Sequence, residues 1–211
     1  MLKDIKLGFK LLKYGYKLKL NVIMLVFFAI FGIASEIFSK GTSIIGGVYF
    51  MMSGMFTFQL IMSMDVSELI QSTSLKKKLQ IYIPVLASTV INLILFTIFV
   101  VERVVLIQMG VADKTQIIYT LFMLDVILLI TYLYTSICYK YFVLGFILFM
   151  VMFMAAFMAL DNSAFMGFAD TIAALGLPVI ALFGYIAIFV GGALEILIGE
   201  LLYKKPLSEF A

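Results

Sequence analysis

The sequence predicts an all-α polytopic membrane protein with six transmembrane helices. Of its 211 residues, 64 % are hydrophobic and 13 % are charged. Six apolar runs each have about the 20 residues that a helix needs to cross roughly 30 Å of hydrocarbon. These runs are too uniformly apolar for the alternating strands of a barrel, and helices satisfy their own backbone polar groups in lipid. The runs are Leu20–Phe38, Ile44–Met64, Ile81–Val101, Gln116–Ile137, Tyr141–Leu160 and Leu177–Leu202.

The distribution of basic residues predicts the orientation. Six crossings place both termini on one side, and that side holds 12 of the 15 lysines and arginines: Lys3, Lys6, Lys10, Lys13, Lys17, Lys19, Lys76, Lys77, Lys78, Lys140, Lys204 and Lys205. The other side holds only Lys40, Arg103 and Lys114. Because cytoplasmic loops are enriched in basic residues, we expect both termini in the cytoplasm.

The N-terminal segment, residues 2–19, is predicted to be an amphipathic elbow helix. Five lysines recur at steps of three and four residues and so form one stripe, with apolar side chains roughly opposite. Such a helix lies in the membrane interface, with its lysines among the headgroups. Anchoring alone and additional contact with a cytoplasmic partner both stay open. The elbow lysines are Lys3, Lys6, Lys10, Lys13 and Lys17.

The loop between the second and third runs, residues 65–78, is predicted to contain a short helix. An acidic residue followed three positions later by a glutamate has the form of a capping box, which starts a helix at Val66 and lets it break near Ser72. An inert turn and a protruding helix that docks into a partner are the two interpretations. The docking residues would be Asp65, Val66, Glu68, Leu69, Ser72 and Lys76.

Two further features complete the layout. Pro84 near the start of the third run predicts a kink or a helix boundary, and that run is expected to end at Glu102-Arg103.

Residues 161–176 are apolar-leaning, begin with Asp161 and close with Gly176. They are too few to cross and are predicted to form a re-entrant or interfacial helix on the outer side.

Two carboxylates lie deep in apolar runs, Asp125 in the fourth and Glu195 in the sixth. An ionised group there costs roughly 2.5–3.5 kcal/mol, so each needs a partner, water or a proton. A structural polar pair and a proton or substrate site both stay open. The expected partners are Asn92, Thr97 or a water-filled cavity for the first, and Lys19 or Lys140 for the second.

The chain contains 21 phenylalanines and 14 methionines, many at helical spacing. Such stripes are typical of lipid contact or helix packing, but flexible thioethers also suit a passage that accepts varied apolar substrates. The candidate translocation surface comprises Phe27, Phe31, Met51, Met55, Gln59, Phe149, Phe153 and Phe157.

Several classes of chemistry have no support. The chain has no histidine and one cysteine, Cys138. It also lacks the glycine-rich lysine motif that cradles nucleotide phosphates. We therefore expect no catalytic residue, no metal site, no bound cofactor and no nucleic-acid partner.

The combined layout resembles the permease subunit of a type-2 ATP-binding-cassette exporter. The elbow, the capped helix ending in Ser-Leu-Lys-Lys-Lys, the outer segment and the closing Leu-Leu-Tyr-Lys-Lys-Pro-Leu-Ser carry the resemblance. It implies that residues 1–211 form one transmembrane domain in a bacterial plasma membrane, with residues 65–78 as the coupling helix.

The same resemblance implies an assembly of two permeases, identical or similar, with two ATP-binding subunits, which would hold ATP and Mg²⁺. The chain itself would not be an enzyme. Its small size is similar to Gram-positive exporters of amphipathic or hydrophobic peptides, such as toxins or bacteriocins. A substrate-capture membrane subunit of a small-molecule importer and a proton-coupled secondary transporter or channel are the alternatives.

Overall fold

In the computed structural model, the described residues are 6, 10, 18–52, 77–138, 147–148, 150–152, 154–155, 158 and 163–203. Every regular element in these ranges is helical, which confirms the predicted all-α class for this part of the chain. The helices are α1 (Leu18–Ser39), α2 (described for 44–52), α3 (Ile83–Met109), α4 (Lys114–Cys138), α5 (Ser163–Leu175) and α6 (Leu177–Tyr203). A π-helical turn, Lys78–Tyr82, leads into α3.

Among the described residues, four helices are long and apolar enough to cross a membrane: Val22–Ser39, Ile83–Met109, Lys114–Ile137 and Leu177–Leu202. They correspond to the first, third, fourth and sixth predicted runs. The C-terminal end of the third helix differs from the prediction. The third helix does not end at Glu102-Arg103 but continues to Met109, so both charged side chains belong to a helix and not to a loop.

The ends of α3 follow from two residues with special backbones. Pro84 lies in the first turn of α3, directly after the π-helical turn, so the helical hydrogen-bond pattern changes at the point where proline lacks an N–H. At the other end Gly110 adopts a left-handed conformation with φ of 63°. Its N–H reaches the carbonyls of Leu106 and Ile107, which closes the last turn.

Helix α4 is the centre of the bundle. Within the described residues, 72 % of its membrane-length window is buried, against 11 % for α1. The buried core includes Phe96, Ile118, Leu124 and Ile188. The largely exposed apolar surface of α1 is what a lipid-facing helix requires, because lipid solvates it as well as protein does.

Helix α6 runs parallel to α4 and antiparallel to α3. Along α4, Gly184 lies against Asp125, and Gly191 lies against Tyr132. Against α3 and the turn before it, the residue numbers run in opposite directions. Gly184 lies against Phe96, Gly192 against Thr89 and Gly199 against Ile81. Glycines at these contacts let the helices approach closely.

A tight hairpin joins α1 to α2. Lys40 and Gly41 both have positive φ, 54° and 73°, and Gly41 donates its N–H to the carbonyl of Glu36 over 3.2 Å. Further along, a Cβ on Gly32 would lie only 2.5 Å from the backbone nitrogen of Phe50. The two helices therefore pack in close contact.

Two predicted peripheral segments are described in part. Residues 163–175 of the outer segment form α5, and its buried Ala169 and Ile172 belong to the main core. In the elbow, Lys6 and Lys10 are helical and exposed. The other elbow lysines, Lys3, Lys13 and Lys17, lie outside the described residues.

Candidate functional site

One group of charges, the ionic cluster, joins α1 and α3 near the hairpin. It consists of the buried Arg103 and Glu36 together with the half-buried Glu102. Arg103 has no exposed surface and Glu36 is 4 % exposed. The guanidinium Nη2 lies 2.8 Å from Oε2 of Glu36, and Nε lies 3.7 Å from Oε2 of Glu102. Because the bundle excludes water here, the Coulomb attraction is much stronger than at a solvated surface.

The hairpin turn completes this cluster. The carbonyl of Gly41 accepts hydrogen bonds from Nη1 of Arg103 and from the Thr120 hydroxyl, the second over 3.2 Å. A Cβ on Gly41 would overlap the guanidinium, so the turn requires glycine both for its φ and for this approach. The Phe99 ring lies 4.3 Å from the guanidinium carbon, within cation–π range. The cluster therefore connects α1, α3 and α4 with the turn that leads into α2.

A second set of polar groups, the α4–α6 seam, is built differently. It comprises Asp125, Tyr132 and Thr135 of α4 with Gly184 and Glu195 of α6. Asp125 is 4 % exposed, and neither of its oxygens has a hydrogen-bond partner among the described residues. Its carboxyl lies against Gly184, beside the Phe96 ring of α3.

Glu195 is equally enclosed. It is 2 % exposed, and both oxygens lack a hydrogen bond in the described part of the chain. The Thr135 hydroxyl lies beside it, but that proton is directed to the backbone carbonyls of Thr131 and Tyr132, at 3.1 and 3.0 Å. The Tyr132 hydroxyl accepts a hydrogen bond of 3.0 Å from the Asn92 amide.

The two seam carboxyls lie at different depths. Asp125 is level with Gly184, and Glu195 comes eleven residues later on the same helix. At 1.5 Å per residue the separation along the axis is about 16 Å. They are too far apart to share a proton or a metal ion, so paired acid–base chemistry is excluded. Over the ranges that the structure describes, no three acidic or cysteine side chains converge to hold a metal.

At the end of α6, Glu200 contacts the start of α3; we name this the Glu200 contact. One carboxylate oxygen accepts a hydrogen bond from Nζ of Lys77 at 2.9 Å and another from the Tyr82 hydroxyl. Accepting that hydroxyl proton holds it in place and raises the pKa of Tyr82 above its usual value. The contact links the segment before α3 to the last helix.

Three of the four side chains predicted as partners of the intramembrane carboxylates do not bond them in the structure. Asn92 bonds Tyr132 rather than Asp125, while the Thr97 hydroxyl donates to the Leu93 carbonyl at 2.7 Å and lies 3.0 Å from the Tyr185 hydroxyl. Glu195 makes no ion pair with Lys19, which is exposed. Lys140 lies outside the described residues.

The candidate translocation surface is described only in part. Phe27 and Phe31 are exposed and stack on one another at 6.0 Å between ring centroids, and Phe31 also meets Tyr49 edge-on at 5.0 Å. Met51 is 5 % exposed and packs in the core of the described bundle. Outside the described residues lie Met55, Gln59, Phe149, Phe153 and Phe157, as do the docking residues Asp65, Val66, Glu68, Leu69, Ser72 and Lys76.

The ionic cluster was missed by the sequence interpretation. It placed Arg103 in an outer loop and gave no role to Glu36, although Glu36 lies within the first apolar run. The sequence does contain a signal for this ion pair. Opposite charges within or beside two apolar runs tend to pair, because each alone is costly in lipid.

Comparison with protein-family models, with curated proteins and with solved structures gives no match for this chain. The function is therefore argued from the residues and their geometry.

Proposed function

We propose that the chain is the membrane-spanning permease subunit of an ATP-driven exporter of the type-2 ATP-binding-cassette class. It would move an amphipathic or hydrophobic peptide out of a bacterial cell, together with a second permease and two separate ATP-binding subunits. The observation that carries the proposal is the Glu200 contact. It joins the lysine-rich end of the predicted coupling segment to the last membrane helix.

The parallel arrangement of α4 and α6 supports a six-span topology. Two parallel neighbours begin at the same end of the bundle, so the chain between them has to return to that end. Residues 147–148, 150–152, 154–155 and 158 of this return are helical. Helix α2 likewise leads away from the hairpin end, where α3 also finishes. One crossing in each of these stretches, added to the four candidate spans, makes six.

The charges at the two ends support the proposed orientation. The start of α1 brings Lys19 and the start of α3 brings Lys77 and Lys78 to the same end as Glu200. The opposite end has Lys40 and Lys114 in its turns, since Arg103 is buried in the ionic cluster. The lysine-rich end would be cytoplasmic by the positive-inside rule, which is where an ATPase would dock.

The Glu200 contact suggests how force would travel. Residues 65–76 directly precede Lys77, and Lys77 and Tyr82 both hold Glu200. A push on the predicted coupling helix would move the start of α3, and with it the end of α6. Since α6 packs along α4, the displacement would reach the centre of the bundle, as alternating access requires.

Copurification tests the partner directly. Tagged full-length chain is purified from its native membranes in mild detergent, and copurifying ATP-binding subunits are quantified against it by mass spectrometry. We expect equal amounts, together with vanadate-sensitive ATP hydrolysis. The double variant Glu68→Arg, Leu69→Asp should lose at least about tenfold of the ATPase, equivalent to 1.4 kcal/mol.

The matched control is Asp113→Arg, a charge reversal in the exposed turn at the opposite end. It should retain the ATPase fully. Equal recovery from all three proteins, or purification of the chain with no nucleotide-hydrolysing subunit at all, would contradict the proposal.

A further inference from the structure

We propose that Asp125 and Glu195 are two proton-binding sites of the α4–α6 seam, each carrying a proton while the helices are packed and releasing it when they separate. The inference goes beyond the proposed exporter and does not depend on an ATPase partner.

The surroundings of Asp125 require the neutral form. Gly184 and the Phe96 ring lie against its carboxyl, and neither oxygen receives a hydrogen bond from the residues that the structure describes. No basic side chain of the described residues pairs with it, since the Arg103 guanidinium is held by Glu36. A carboxylate without a partner, buried in an apolar bundle, is strongly disfavoured against the protonated acid.

The surroundings of Glu195 also favour the protonated acid, although they are slightly more polar. The groups that face it from α4 are the hydroxyls of Thr135 and Tyr132. On the α3 side, Thr89 lies against Gly192 and the Asn92 amide engages Tyr132. All four groups are neutral. Because none of them carries a positive charge and the carboxyl is fully enclosed, the packed seam favours the protonated acid here too.

Release follows from what changes when the seam opens. Separation of α4 from α6 would uncover both carboxyls to water, and each O–H bond could then break, leaving a carboxylate and a hydronium ion. Closing the seam reverses the step, because the carboxylate must be reprotonated before it is buried. Each opening and closing thus moves up to two protons, from sites about 16 Å apart along α6.

Infrared spectroscopy of the full chain in lipid nanodiscs at neutral pH tests the first half of the proposal. We expect C=O stretching bands of protonated carboxyls, one lost in Asp125→Asn and the other in Glu195→Gln. Glu36→Gln is the matched control and should remove neither band, because the Arg103 guanidinium 2.8 Å away favours the carboxylate form of Glu36. Loss of no band in either seam variant would overturn the proposal.

Isotope labelling keeps the test valid if a variant fails to fold. Uniform ¹³C-aspartate should shift one band of the unmodified protein, and ¹³C-glutamate should shift the other. Absence of both shifts would overturn the proposal without any substitution.

Opening is tested by Gly184→Ala, whose Cβ would overlap Oδ1 of Asp125 and the Phe96 ring. The enforced separation should weaken or shift the Asp125 band and speed its exchange in deuterated water. Gly167→Ala is the control, since nothing lies within 4 Å of its added Cβ. An Asp125 band that exchanges equally in both variants and in the unmodified protein would contradict release on opening.

Discussion

The ionic cluster and the α4–α6 seam both place acidic side chains inside a bundle of apolar helices, but they treat the charge in opposite ways. In the cluster, Glu36 has a guanidinium 2.8 Å away, and the same guanidinium also binds a backbone carbonyl. In the seam, Asp125 and Glu195 have no such partner among the described residues.

This difference indicates which part of the bundle can change its protonation state. A paired charge is fixed, because removing either partner leaves the other buried and uncompensated. An unpaired carboxyl avoids the cost by taking up a proton, and it can lose that proton when its surroundings change. The cluster therefore holds the hairpin end together, while the seam is suited to move.

The largest expected effect comes from Arg103→Met. The buried Glu36, the half-buried Glu102 and the Gly41 carbonyl would lose their shared partner, which should lower the free energy of unfolding by about 3–5 kcal/mol. Chemical denaturation of the full chain in mixed micelles, followed by circular dichroism, measures this. Adding Glu36→Gln to the same chain should recover part of the loss. An Arg103→Met protein as stable as the unmodified chain would remove the distinction between the two regions.

Glu36→Gln alone should have the next largest effect. The neutral amide keeps a hydrogen bond to Arg103 but loses the charge, which we expect to cost about 1.5–3 kcal/mol. The matched seam variant is Asp125→Asn, which replaces a neutral acid with a neutral amide and should change stability little. Equal losses in the two variants, measured by the same denaturation, would show that both carboxyls are ionised.

Gly184→Ala should have the smallest of the three effects. The added methyl group would overlap Phe96 and Asp125, and overpacking of this kind costs about 1–3 kcal/mol. At the unhindered control position, Gly167→Ala should stabilise by up to about 1 kcal/mol, through the helix propensity of alanine. Thermal unfolding in the same detergent compares them. Similar melting temperatures would mean that the seam is looser than its contacts indicate.

The sequence was sufficient for the four long apolar helices that the structure describes and insufficient for their contacts. Hydrophobic length predicts those helices, because the bilayer thickness sets how many apolar residues a crossing needs. The end of α3 was misplaced since a charged pair was taken as a loop signal, whereas Arg103 is buried by a partner far away in the chain. That pairing depends on the φ of Gly41, which composition alone does not reveal.

The contacts within the α4–α6 seam could not be predicted from the sequence either. Burial of Asp125 and Glu195 was predictable from their positions in apolar runs. Their neighbours were not, because which face of α4 meets α6 depends on where glycines such as Gly184 permit close approach. Asn92 and Thr97 were expected to meet Asp125, but the Asn92 amide donates to the Tyr132 hydroxyl of α4 and the Thr97 hydroxyl donates to the Leu93 carbonyl.

The ionic cluster also has a consequence for synthesis of the protein. Arg103 lies 62 residues after Gly41, and Thr120 lies 79 residues after it, so both partners of that carbonyl emerge late. When the arginine enters the bilayer, the glutamate at position 36 is already there to receive it. Because Glu36 is synthesised before Arg103, the guanidinium does not have to enter the lipid without a carboxylate to pair with. The hairpin of α1 and α2 then provides the surface on which α3 and α4 pack.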